Sequence, residues 1–173
     1  PVAGWFDDDF DMAVKNMALA ARVAKEGGLK GIFFDMENYG GGTWDEWMYS
    51  FSYPEASMQP KLMTHSYEKC AEQVRLRGKQ IMAAMCREYP DITLILIPGA
   101  HQFAGQRIGN GTRTNPLLTK KDGLASSDYG LLAPFVDGLL EGSTPSATII
   151  DGTENSYAWT YSKQFEKSRK DFT

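Results

Sequence analysis

From Asp9 to about Lys25 the apolar positions Met12, Val14, Met17, Ala20, Ala21 and Ala24 recur mainly three or four apart, and from Leu29 to Phe34 the chain is almost unbroken in its hydrophobicity. The first spacing is that of one face of an α-helix; the second is that of a strand with apolar residues on both sides, as parallel sheets require. Gly27 and Gly28 stop the helix, and Asp7 to Asp9 supply its cap and first-turn charge. The same grammar then returns twice. Ser66 is placed to cap a second helix with a stripe at Cys70, Val74, Ile81, Met85 and Tyr89, and Gly78 lies inside it, where a neighbouring helix can approach closely. Pro90 ends that helix before a second apolar strand, Ile92 to Ile97. Leu131, Leu132, Phe135, Val136, Leu139 and Leu140 form a third helical stripe, with Pro134 tolerated in its first turn, and Gly142 and Pro145 lead into "ATIIDGTEN", the third strand. The tail from Ser156 to Thr173 reads as the start of a further helix.

Alternating helices and strands imply parallel crossovers, hence an α/β fold of parallel βα repeats. Connections entering the strands are short, whereas those leaving them, near 38–65 and 98–127, are long and rich in polar and aromatic residues. Long loops at the carboxyl ends of strands are where such folds carry their sites. The expected architecture is a partial TIM-barrel-like (β/α) sector, with an open doubly wound parallel sheet as the alternative. A nucleotide-binding doubly wound sheet would join strand to helix by a tight Gly-rich turn; "NYGGGTW" has the glycines, but a long loop separates it from the next helix. A closed barrel takes about 200 residues or more, and this chain of 173 offers three clear strands and the end of another before Trp5. Residues 1–173 are therefore expected to be a single α/β domain or a fragment of a larger (β/α)8 catalytic domain, completed by remaining barrel segments or another chain.

Composition narrows the partners. With 42% hydrophobic residues the chain can bury a core, and a net charge of −4 without any basic run argues against nucleic acid. No apolar stretch approaches the roughly 18 to 20 residues that span a bilayer, so no membrane association is expected. The opening "PVAGWFDDDF" has neither a basic leader nor an initiator Met and reads as a mature or excised piece. Cys70 and Cys86 fall in one helix, where sixteen positions correspond to ~24 Å. A disulfide between them needs Cα atoms within about 7 Å, so both are expected as buried, small apolar residues, with the redox compartment left open. "NGT" at Asn110 to Thr112 matches a glycosylation acceptor and reads as a turn in its Gly-rich setting.

The candidate chemistry lies where apolar strands turn acidic. In "GIFFDMENYG", Asp35 and Glu37 are two apart and, at ~3.3 Å per residue, share a strand face with backbones about 6.6 Å apart. The third strand ends in the same way, with Asp151 and Glu154. Paired carboxylates are what glycosidic cleavage requires: one protonates the departing oxygen while another attacks the anomeric carbon or activates water. Glu37 is the candidate acid/base. Its partner is Glu154, or Asp151 if the strand ends earlier, with Asp35 either orienting Glu37 or raising its pKa by like-charge proximity. Tyr39 beside Glu37, Trp44 and Trp47 in the first long loop, and Asn155 and Trp159 near Glu154 supply flat faces and hydrogen-bonding groups for sugar rings; His101 and Gln102 beyond the second strand add polar contacts. The plainer readings are that the acids cap turns or pair with Arg, that Asp151 bonds its own turn, and that the aromatic loop packs mainly on itself.

"GIFFDMENYG" resembles the acid-bearing strand of glycoside-hydrolase barrels, in which a G-I-x-x-D-x-E pattern closes on the catalytic Glu, as in chitinase-like enzymes. The resemblance covers about ten residues and implies a proton-donating Glu37, a helper Asp35 and a cleft-lining Tyr39. The chitinase pattern has further acids where this chain has Lys30 and Phe33, so the likeness is to a glycosidase-like barrel rather than to one family. The leading expectation is hydrolysis of a glycosidic bond in an oligo- or polysaccharide, without cofactor, outside the cell or in the periplasm. The alternatives are a metal-dependent barrel hydrolase or isomerase using Asp35, Glu37, His101 and Asp151 or Glu154, and a non-catalytic sugar-binding or structural fragment. The two histidines lack metal-ligand spacing, and no metal site is assigned.

Overall fold

The computed structural model describes residues 4–37, 51, 53, 65–99, 129–152 and 158–171. Their elements follow the order α1 (Phe10–Glu26), β1 (Gly31–Asp35), α2 (Tyr67–Glu88), β2 (Thr93–Ile97), α3 (Leu132–Gly142), β3 (Thr148–Asp151) and α4 (Ser162–Asp171). The three strands form one parallel sheet in the order β1-β2-β3. Gly31 pairs with Thr93 and Asp35 with Ile97, while Thr93 pairs with Thr148 and Leu96 with Asp151. The chain is thus a mixed α/β protein with a parallel βα arrangement.

Local chemistry explains where the elements stop. The Ser66 hydroxyl accepts the Lys69 backbone N–H at 3.3 Å, satisfying one of the orphan donors at the start of α2. Pro134 is the third residue of α3, where it removes no intrahelical hydrogen bond. Gly28 adopts φ +70 after α1, a conformation that a side chain would strain, and Leu29 N–H closes the turn onto Ala24 O at 2.9 Å. The amino end of the sheet is tied down closely: Tyr89 donates its hydroxyl to Leu29 O at 2.9 Å, and Ser146 donates to Pro90 O at 2.9 Å.

Register and burial together define two faces. Ile32, Leu94 and Ile149 share one face, and one step along the strands so do Phe34, Leu96 and Asp151. Helices α1, α2 and α3 cover this face: Leu94 and Leu96 are closed off with Val74, Met82 and Met85 of α2, Phe135 and Leu139 of α3, and Phe10 and Ala21 of α1. Phe34 and Phe135 meet with ring centroids 6.4 Å apart. Burying an aliphatic or aromatic side chain of this size contributes about 1.5–3 kcal/mol, so this layer supplies most of the fold's cohesion. The opposite face carries Phe33, Ile95 and Ile150, and there Phe33 is 57% and Ile150 42% exposed. The expectation of strands covered on both sides is therefore corrected for β1 and β3: all three packed helices lie on one side of the sheet, and the apolar run alone does not reveal which side is covered.

The seam between α2 and α3 is closer than ordinary helix packing. A Cβ at Gly78 would overlap the Phe135 carbonyl, and a Cβ at Gly138 would overlap the Arg75 carbonyl. Glycine at both positions lets the two backbones touch, and the Glu141 carboxylate bridges the outside of the seam to Arg75 and, at 3.7 Å, to Lys79. The segment entering α1 is held by α2: Arg77 donates to Trp5 O at 2.9 Å and to Asp7 O at 3.1 Å, with its guanidinium 4.4 Å from the centre of the Phe10 ring. Cys70 and Cys86 are both buried thiols of α2, and burial pushes the Cys70 thiol up to about 11.

Candidate functional site

The carboxyl ends of parallel strands share one rim, and here that rim ends in acids on both outer strands. Asp35 closes β1 and Asp151 closes β3, on either side of Ile97 and Leu96 of the middle strand. Met36 N–H continues the ladder onto Ile97 O at 2.5 Å, and Gly152 N–H continues it onto Leu96 O at 2.8 Å. Both acids therefore stand on backbone that is held by β2 beyond the last ladder residue.

Their faces differ. Asp35 is in register with Ile97, whereas Asp151 is in register with Leu96. Consecutive residues of a strand point to opposite sides, so Asp35 belongs to the open face and Asp151 to the face shared with Phe34 and Leu96. The Asp151 carboxylate lies against Gly99, where a Cβ would overlap it. Asp151 is half-buried there, while Asp35 is exposed. Their position at one rim does not bring these two carboxylates onto one face.

Asp35 and Glu37 are brought together directly. The Glu37 backbone N–H donates to Asp35 Oδ1 at 2.9 Å. Exposure alternates from exposed Asp35 through Met36, 6% exposed, to half-buried Glu37, so the two-residue period of the strand persists past its last ladder residue. The Asp35 carboxylate thereby fixes the backbone that carries Glu37, a task that needs an acceptor oxygen rather than a charge. Phe33, two residues before Asp35, provides an apolar floor on the same side; the alternation 33, 35, 37 was the available signal for it.

Among the described residues the loop that leaves β1 returns to the protein through aromatic contacts. Phe51 is buried, 5.3 Å from Trp5 and 5.1 Å from Phe135. Tyr53 donates its hydroxyl to His65 O at 2.9 Å, Tyr67 donates to Gly130 O at 2.8 Å, and the two rings meet edge-on at 5.7 Å. Desolvation raises the pKa of both phenols, with Cys70 adding to the effect at Tyr53 and Glu68 at both. These hydroxyls are engaged as donors to backbone and serve as anchors. The His65 ring lies 4.2 Å from Phe6. Trp159, expected among the sugar contacts, is half-buried and packs edge-on against Phe165 of α4 at 5.0 Å.

Glu154, Asn155, Tyr39, Trp44, Trp47, His101 and Gln102 lie outside the described residues. Among the described residues no three His, Cys, Asp or Glu side chains gather as metal ligands, and no helix is long and apolar enough to cross a membrane. No protein-family model, no curated protein and no solved structure matches the chain.

Proposed function

We propose that the protein hydrolyses a glycosidic bond in an oligo- or polysaccharide, with Glu37 as the proton donor. The observation that carries this reading is the placement of Asp35 and Glu37 at the carboxyl end of a parallel strand, with the Asp35 carboxylate holding the Glu37 backbone N–H. A general acid must be held within hydrogen-bond reach of the departing oxygen, and a backbone fixed by its neighbour limits where the Glu37 carboxyl can go. Asp35 acts in this reading as the positioning residue. Because Asp151 belongs to the helix-covered face, Glu154 is the preferred second carboxylate, as nucleophile or as base toward water.

The finer fold reading, a sector of a (β/α)8 barrel, belongs to the same proposal. It is supported by α1, α2 and α3 packing on one side of strands in sequential order and by an apolar opposite side at Phe33, Ile95 and Ile150. In a barrel that side is the filled interior, and the acids at its rim face the mouth. Further strands, from remaining barrel segments or another chain, would pair the outer edges of β1 and β3 and bury Phe33.

The test is turnover of aryl glycosides and natural polysaccharides by the wild type and by Glu37→Gln. Loss of a general acid costs about 10²–10⁴ in rate, so kcat falls by that factor while binding of the same sugar persists. Equal rates for the two proteins sink the assignment of Glu37. Sugar binding without turnover by the wild type points instead to a binding module, and loss of turnover to chelator points to metal-dependent hydrolysis.

A further inference from the structure

We draw no further inference here: the strongest candidate, the exposed apolar stripe of Met12, Leu19 and Val23 on the side of α1 turned away from the core, carries nothing because nothing in the structure shows what covers it.

Discussion

On the helix-covered face of the sheet Leu94 and Leu96 are closed to solvent, whereas on the opposite face Phe33 keeps 57% and Ile150 42% of their surface exposed. The two faces draw on the same residue types within the same strands. What separates them is the position of α1, α2 and α3, all packed against one side, so that a step of one residue along β1 takes a side chain from the core at Phe34 to solvent at Phe33. The acids follow the same rule. Asp35 shares the open face with Phe33 and Asp151 shares the covered face with Leu96, so parity along the strand decides which acid at the rim is available to chemistry on the open side.

The largest effect that sharpens this contrast comes from emptying the covered face. Phe135 is 1% exposed and touches Trp5, Phe34 and Phe51. Truncation of a buried Phe to Ala typically costs about 3–5 kcal/mol, and Phe135→Ala is expected to fall in that range when urea unfolding is followed by far-UV circular dichroism. A loss below about 1 kcal/mol would mean that the helix layer does not hold the sheet as described.

Next in size is the α2–α3 seam. Gly138→Ala inserts a methyl group where the Arg75 carbonyl already lies, and overpacking of this kind costs about 1–3 kcal/mol. Alanine is also the better helix former by about 1 kcal/mol, so an exposed helical glycine replaced in the same way would gain stability. A lower unfolding midpoint for Gly138→Ala therefore reports the close backbone contact itself; a higher one would show that the helices stand further apart.

Much of this was readable from pattern alone, and the failures have physical causes. The helix expected from Asp9 to Lys25 is Phe10–Glu26, and the strand expected from Ile92 to Ile97 is Thr93–Ile97. Both are written in local chemistry, an amphipathic period in one and a bounded apolar run in the other. Ser66 and Pro134 likewise act through neighbours within one turn. The open face was not legible because an apolar run looks the same whether one or both of its sides are covered. Nor was the separation of Asp35 from Asp151: it depends on a one-residue difference in register with β2, and register is a property of strand pairs. Gly78 was visible as a site of close approach, but Gly138 acquires its role only when α3 is laid against α2.

A smaller effect is expected at the exposed edge of that seam. Arg75 and, less strongly, Lys79 hold the Glu141 carboxyl below the usual carboxylate range. A folded-state pKa below the unfolded value gives stability that is present above the unfolded pKa, near 4.5, and lost as pH falls through the folded one. Wild type should therefore exceed Glu141→Gln slightly in Tm at pH 6 and low salt, and the gap should close as pH falls below 4.5 and in high salt. A gap that is independent of both pH and salt would assign the contact to packing instead.

The smallest expected change tests the comparison most directly. Phe33→Thr introduces a β-branched side chain suited to a strand while removing the largest exposed apolar group described on the open face. If that face meets water in the isolated chain, the substitution alters stability by no more than about 0.5 kcal/mol. A cost near 2–3 kcal/mol, the value of burying a whole aromatic side chain, would mean that the face is covered in solution. Concentration then separates the sources of cover: a stability difference that grows with protein concentration identifies another copy of the chain, and one that does not identifies the chain's own segments. In either case Phe33 would lie in a filled interior of the kind the barrel reading requires, below a rim at which Asp35 and Glu37 stay open to a polysaccharide, whereas a face that meets water leaves that interior unformed in the isolated chain.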